Sequence, residues 1–200
     1  MNIYIDFDGT IFDINSLNID YVNIFDGIDK EYINYLITKH KNYDTVTNIL
    51  INEFNLNKNI INKVNDLYNN NYVYKDALAF LEKYYQKYNL ILLTYTKNID
   101  YQKRKINSCK IDKYFKDIII STIDKSKLNI DYPNSIFIDN NPKELKRLND
   151  VFAKHIIRIN HINDNYHKEK NTINNIIEYK DFIELINNNY IEKIGENIYE

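Results

Sequence analysis

Residues 2–10, Asn-Ile-Tyr-Ile-Asp-Phe-Asp-Gly-Thr, carry the strongest structural signal in this sequence. The stretch begins as a short apolar run that ends in an acid, which is typical of a buried β-strand. Side chains two positions apart in an extended chain point the same way, so Asp6 and Asp8 are expected to face one cavity. Carboxylates this close together are costly unless a hard cation such as Mg²⁺ lies among them. Gly9 permits a turn without a side chain and is expected to leave backbone N–H groups free for an anion.

Further along the chain, apolar runs alternate with helical patterns. The predicted strands cover residues 2–6, 89–94, 117–121, 135–139 and 155–159. The predicted helices cover residues 75–87, 98–107 and 143–149, the last introduced by Pro142, and residues 176–186 are expected to form a short strand or helix pair. Strands separated by helices favour an α/β domain with a parallel sheet.

Residues 15–72 show a different pattern, in which apolar residues recur only at helical spacing. Examples are the stripes that begin at Ile33, Val46 and Ile60. Amphipathic helices of this kind must bury their stripes against one another, which predicts a small bundle. We therefore predict a Rossmann-like core formed by residues 1–14 and 73–200, with an all-helical cap inserted at 15–72.

The composition is typical of a soluble globular protein with one core. Of its 200 residues, 44% are hydrophobic and 27% are charged, and the net charge of -2 indicates neither a nucleic-acid nor a membrane partner. The single cysteine, Cys109, cannot form an internal disulfide and suits a reducing cytosol, so a cytoplasmic location is expected. We expect no signal peptide and no membrane span, because no apolar run approaches about 20 residues.

Polar side chains follow four of the predicted strands. They are Asp6 with Asp8, Thr94, Lys125 or Lys127, and Asp139. In open parallel sheets the binding crevice forms outside the carboxyl ends of the strands, so these groups are expected to converge at one edge. Of the two lysines, Lys125 is preferred because it is closer to the end of its strand.

These residues resemble the motifs of the haloacid dehalogenase (HAD) superfamily. Asp6-Phe7-Asp8-Gly9-Thr10 after an apolar strand is similar to the first motif, and Thr94 closes a strand as in the second. Lys125 follows a strand as in the third motif, and Asp139-Asn140-Asn141-Pro142 resembles the acidic fourth. The resemblance covers residues 1–12 and about 73–187 of the core, and the insert at 15–72 lies where the family places its helical C1 cap.

The resemblance implies a role for each motif residue. Asp6 would be the nucleophile that becomes phosphorylated, and Asp8 would protonate the leaving oxygen and later activate water. Lys125 would offset negative charge, and Thr94 would hydrogen-bond to the phosphoryl oxygens. The implied phosphate-binding set is Gly9, Thr94, Tyr95 and Lys125.

The implied cofactor is Mg²⁺, held by Asp6, Asp139 and the backbone carbonyl of Asp8. Asn140 departs from the pattern because many members carry a second acid at that position. An asparagine can hold a metal-bound water but supplies less charge, which predicts weaker metal binding.

The implied activity is hydrolysis of a small phosphomonoester. The presence of Asp8 favours phosphate over carbon–halogen chemistry, because an ester oxygen needs a proton donor on leaving and a halide does not. One alternative is a phosphomutase that uses the same aspartyl-phosphate. Another is a non-catalytic binding protein, against which the complete set of motif residues argues.

The expected partner is a small phosphorylated metabolite. A nucleotide is one candidate, because tyrosines of the insert could stack on a base, although core packing or codon bias is the favoured explanation of the same residues. The tyrosines are Tyr21, Tyr32, Tyr35 and Tyr43. His161 and His167 flank a polar stretch without a metal-binding pattern, which predicts a solvated loop.

Overall fold

A six-stranded parallel sheet forms the centre of the fold, described here from a computed structural model of residues 1–198. The strands are β1 (Asn2–Ile5), β2 (Asn89–Tyr95), β3 (Asp117–Ser121), β4 (Ser135–Asp139), β5 (His155–Ile159) and β6 (Ile176–Tyr179). Their order across the sheet is β3-β2-β1-β4-β5-β6. Chain order therefore runs outward from β1 in both directions. The topological switch point lies at the carboxyl ends of the neighbouring strands β1 and β4.

The helices are α1 (Ile14–Ile24), α2 (Lys30–His40), α3 (Tyr43–Phe54), α4 (Ile60–Leu67), α5 (Lys75–Tyr84), α6 (Ile99–Cys109), α7 (Pro142–Asp150), α8 (Phe182–Asn187) and α9 (Tyr190–Ile198). Helices α1 to α5 lie between β1 and β2 in the chain. Short 3₁₀ turns occupy Asp112–Tyr114 and Lys125–Lys127. Within residues 1–198 no helix combines the length and apolar character that a membrane crossing requires.

Alternate residues of the central strands bury opposite faces of the sheet. Ile3 and Ile5 of β1 join a large cluster that includes α5, α6, α8 and the helical insert. Tyr4, between them, joins a smaller cluster with Phe137 and with Leu145 of α7. Both faces of the sheet are thus covered, which explains why its strands read as nearly continuous apolar runs.

The insert forms a helical unit whose core continues into that of the sheet. Helix α1 packs on α4, and α3 packs on both α2 and α4. Tyr21 is fully buried and stacks on Tyr43 with ring centroids 4.2 Å apart, and its hydroxyl lies 2.9 Å from that of Thr47. These two tyrosines belong to the interior of the insert.

The predicted fold class, a parallel α/β sheet with an inserted helical segment, is confirmed. The stretch at 176–186, which was expected to form a short strand or helix pair, contains β6 and most of α8. Helix α9 was not predicted from the sequence. The predicted limits of the core and cap domains stay a prediction, and residues 199 and 200 of the predicted core lie outside the described part of the chain.

Candidate active site

The carboxyl ends of β1 and β4 lie side by side at the switch point, and β2 flanks β1 on its other side. Ile5 pairs in register with Leu92 on one side and with Ile138 on the other. The next residue, Asp6, donates its backbone N–H to the Ile138 carbonyl over 2.9 Å. Asp6 therefore stands beside Asp139, although the two are far apart in sequence.

Lys125 joins these two carboxylates. Its ammonium lies 2.5 Å from Asp6 Oδ1 and 2.6 Å from Asp139 Oδ2. All three residues are buried, and the side chain of Lys125 is 4% exposed. Of the two lysines left open by the sequence, Lys127 instead points outward, with 70% of its side chain exposed.

Burial and charge act in opposite directions on this cluster. Burial lowers the pKa of the Lys125 ammonium, but the charges of Asp139 and Asp6 outweigh it, so the pKa is raised above its ordinary value. Burial raises the pKa of Asp6 to about 7, although the charge of Lys125 pulls it down. Lys125 alone therefore does not balance the carboxylates around it.

Gly9 forms a tight turn directly after the two aspartates. Its φ is +84°, and a Cβ at this position would overlap Asn140 Nδ2 and lie 2.7 Å from Asp164 Oδ1. The N–H of Gly9 donates to the Phe12 carbonyl over 2.8 Å, and that of Thr10 points to the Phe7 carbonyl at 3.3 Å. Neither N–H is free for an anion, so the expectation from the sequence is wrong on this point, and phosphate binding by Gly9 stays a prediction.

The carboxylate of Asp8 is held by two side chains of α6. Lys105 Nζ lies 2.5 Å from Asp8 Oδ1, and Gln102 Nε2 donates to Asp8 Oδ2 over 2.8 Å. The same Gln102 nitrogen lies 3.1 Å from the hydroxyl oxygen of Thr94, at the end of β2. Helix α6 therefore connects two of the predicted site residues.

Tyr95 follows Thr94 as the last residue of β2. Thr94 is 1% exposed, whereas Tyr95 is 39% exposed. Neighbouring side chains of a strand point to opposite faces, so the Tyr95 ring faces away from the Thr94 hydroxyl. Its predicted part in phosphate binding stays a prediction.

Comparison with solved structures identifies this architecture. A candidate HAD-hydrolase from Bacillus subtilis bound to magnesium has a TM-score of 0.61 at 14% identity, over 93% of this chain and 96% of that one. For a candidate β-phosphoglucomutase from Thermotoga maritima the TM-score is 0.66 at 14% identity, over 94% and 98%. For the L-2-haloacid dehalogenase of Xanthobacter autotrophicus it is 0.56 at 16% identity, over 80% and 78%.

The chain has the fold of the haloacid dehalogenase superfamily. No family model and no curated protein matches its sequence. The three similar structures carry the names of a hydrolase, a mutase and a dehalogenase, so the HAD fold alone does not choose among these reactions.

The cluster at the carboxyl ends of the strands has a donor set that suits a hard cation. Within residues 1–198 no three His, Cys, Asp or Glu side chains are grouped as a metal site. The implied ligand set needs only two side chains, Asp6 and Asp139, with the backbone carbonyl of Asp8. Carboxylate and carbonyl oxygens are the ligands that Mg²⁺ prefers, and a cation here would balance the charge that Lys125 leaves uncompensated. The residues fit magnesium, and the ligand set stays a prediction.

Asn140 is part of a buried network that the sequence did not reveal. Its Oδ1 lies 3.3 Å from the hydroxyl of Thr10, and its Nδ2 donates to Asp164 Oδ1 over 2.9 Å. Burial raises the pKa of Asp164, which comes from the loop between β5 and β6. At the position where the resemblance leads one to expect a second acid, this chain has the amide of Asn140, which is hydrogen-bonded to the Asp164 carboxylate.

His161 supports the opposite side of the Gly9 turn. It is 7% exposed, so the prediction of a solvated loop is wrong at this position. Its Nδ1 lies 3.3 Å from the Gly9 carbonyl and its Nε2 lies 2.9 Å from Asp76 Oδ2. Both partners accept hydrogen bonds, so both contacts are satisfied only by the doubly protonated, cationic imidazole.

The crowding at Gly9 can be separated from its backbone conformation by comparison with Gly27. Gly27 has a φ of +80°, but a Cβ there would meet nothing within 4 Å. In urea unfolding, Gly27→Ala is expected to cost only the strain of a positive φ, about 1–2 kcal/mol. Gly9→Ala should cost about 1–3 kcal/mol more, because the methyl group overlaps buried polar atoms. Equal losses for the two variants would contradict the proposed close packing.

The His161–Asp76 pair predicts a pH-dependent contribution to stability. Burial lowers the pKa of His161, but the hydrogen bond and charge of Asp76 outweigh it and raise the pKa above 6.5. Burial raises the pKa of Asp76, but the bonds from His161 and the Phe182 N–H outweigh it and lower the pKa below 3.8. The stabilisation is therefore lost as pH rises through the folded pKa of His161, and as pH falls through that of Asp76.

Urea unfolding at about pH 5.5 and about pH 8.5 checks this sign. His161→Gln should destabilise the protein more at the lower pH, where the wild-type imidazole is charged. His155→Gln is the matched control, because burial lowers the pKa of His155 and its effect should have the opposite pH dependence. A His161→Gln effect that grows with pH would contradict the assignment.

Proposed function

We propose that this protein is a magnesium-dependent phosphohydrolase that cleaves a small phosphomonoester by transferring the phosphoryl group to Asp6. The observation that carries the proposal is the buried cluster in which Lys125 contacts both Asp6 and Asp139, at 2.5 and 2.6 Å. A carboxylate fixed at the switch point, with cationic charge beside it, suits nucleophilic attack on an anionic substrate.

The proposed reaction has two steps. Asp8 enters the first step as the protonated acid. A carboxylate oxygen of Asp6 attacks phosphorus, the bond to the ester oxygen breaks, and Asp8 gives that oxygen its proton and becomes the carboxylate that pairs with Lys105. Asp8 then takes a proton from water, whose oxygen attacks the aspartyl-phosphate and releases inorganic phosphate and the Asp6 carboxylate. Lys125 would offset the charge of Asp6 and the phosphoryl group, and the Thr94 hydroxyl would orient the phosphoryl oxygens.

Magnesium would be held by Asp6, Asp139 and the Asp8 carbonyl, and it would neutralise charge on the phosphoryl oxygens. The magnesium in the similar structure from Bacillus subtilis supports this cofactor, as does the raised pKa of Asp6. Asn140 donates to Asp164 over 2.9 Å, so its side chain is held in place next to Asp139.

Asp8 supports a phosphatase over a dehalogenase. An alkoxide leaving group needs a proton donor, whereas a halide leaves without one. Asp8 is only partly buried, with 30% of its side chain exposed, so it can reach a substrate at the edge of the sheet. The similar structure named as a candidate β-phosphoglucomutase keeps a phosphomutase as the second candidate, since both reactions pass through the same phosphorylated aspartate.

The substrate we propose is a small phosphorylated metabolite. Tyr21 and Tyr43 are not available to stack on a nucleotide base, because they bury their rings against each other, whereas Tyr35 is exposed. The net charge of -2 favours neither nucleic acid nor an anionic membrane as a partner. The single cysteine supports a cytoplasmic location.

Release of inorganic phosphate from p-nitrophenyl phosphate tests this function. Wild-type protein should be active with Mg²⁺ and inactive with EDTA. Asp6→Asn should lose at least about 10³-fold in kcat, because the nucleophile is removed. Asp26→Asn, the same change at an exposed acid of the insert, is the matched control and should keep full activity. Turnover that survives in Asp6→Asn would rule out the proposed intermediate.

A further inference from the structure

We propose that Lys105 and Gln102 are positioning residues that fix the orientation of the Asp8 carboxylate for proton transfer. This inference rests on the proposed phosphohydrolase function. Neither residue belongs to the motifs that indicated the site from the sequence.

Lys105 is a buried cation whose ammonium is directed at Asp8. The residue is 3% exposed, and its Nζ lies 2.5 Å from Asp8 Oδ1. The ring of Tyr101 lies 5.1 Å from the same nitrogen, and those of Phe7 and Phe12 lie 5.7 Å from it. A lysine in such surroundings is costly to bury unless it is paired, and Asp8 is the acid with which it forms an ion pair in the described structure.

Gln102 holds the other oxygen of the same carboxylate. It is 2% exposed, and its Nε2 donates to Asp8 Oδ2 over 2.8 Å. With one donor on each oxygen, the plane of the carboxylate is fixed. Each carboxyl oxygen has two lone-pair directions, so a position on each remains for a leaving group or a water molecule.

The same glutamine connects Asp8 to Thr94. Its Nε2 lies 3.1 Å from the Thr94 hydroxyl oxygen. The predicted proton donor and the predicted phosphoryl ligand are thus set relative to each other by one amide group. Correct placement of this kind affects the rate of reaction more than the affinity for substrate.

Helix α6 is held by an N-terminal cap and by contacts of Arg104. The side chain of Asn98 caps it by accepting the Tyr101 N–H over 3.0 Å. Arg104, on the same helix, donates to both carboxylate oxygens of Asp44 in α3 over 2.8 Å and lies 4.5 Å from the Tyr68 ring centroid. The helix that orients Asp8 therefore also contacts the insert.

The positioning role predicts that kcat depends on the leaving group of the ester. A misplaced Asp8 should slow the release of an alkoxide that needs a proton, and should have much less effect on an activated phenolate that leaves without help. Loss of a merely structural lysine should slow both substrates alike. Benzyl phosphate and p-nitrophenyl phosphate, which have leaving groups of similar size, separate the two cases.

The test compares kcat and KM on both esters for wild type, Lys105→Met and Gln102→Leu. Each variant is expected to lose about 10-fold or more in kcat on benzyl phosphate, with a much smaller loss on p-nitrophenyl phosphate and little change in KM. Lys103→Met, at an exposed position of the same helix, is the matched control and should behave as wild type. If Lys105→Met does not fold, Gln102→Leu carries the test.

A double variant shows whether Lys105 acts through Asp8. Asp8→Asn should have the same leaving-group preference, and adding Lys105→Met to it should cause no further loss on benzyl phosphate. Equal losses on both esters, or additive losses in the double variant, would overturn the positioning role while leaving the proposed function intact. Wild-type protein inactive on both esters would overturn the proposed function and this inference with it.

Discussion

The contact of Lys125 with Asp6 and Asp139 is the interaction on which the rest of the site depends. It joins the ends of β1 and β4 to the turn after β3, with distances of 2.5 and 2.6 Å in a buried setting. Removing one partner of a buried ion pair typically costs about 3–5 kcal/mol, since it leaves a charge without compensation. The three residues therefore hold the ends of β1 and β4 and the turn after β3 together, and they also set the charge of the site.

Several acids lie close together in and around this cluster. Asp8 forms an ion pair with Lys105, whereas the hydrogen bonds to Asp164 in the described part of the chain come from the neutral Asn140 amide and from the backbone. Burial leaves Asp6 with a pKa of about 7, which is far from the ordinary value of an acid that must attack as a carboxylate. A divalent cation beside it would restore the ionised form, so the charge balance and the proposed chemistry require the same ligand.

Much of this arrangement could be predicted from the sequence, for a physical reason. Asp6, Thr94 and Asp139 each end an apolar run, and parallel strands deliver their carboxyl ends to one edge. Asp164 and His161 lie in a loop, where no local pattern indicates a direction, and Lys105 and Gln102 are polar residues of a helix, where the residue type favours the exposed face. One signal was present in α6, where Gln102 and Lys105 share the buried face with Tyr101 and Ile106. The N–H groups of the Gly9 turn were predicted wrongly, because their partners within the loop follow from its closure and not from its composition.

The central claim is that Asp6 carries the phosphoryl group, and chemical trapping tests it most directly. The protein would be incubated with acetyl phosphate and Mg²⁺, quenched and reduced with borohydride, which converts an aspartyl-phosphate to homoserine. Peptide mass spectrometry should then find homoserine at position 6 and unmodified aspartate at position 8. Release of phosphate with no modification at position 6, or with phosphate trapped on another side chain, would contradict the account.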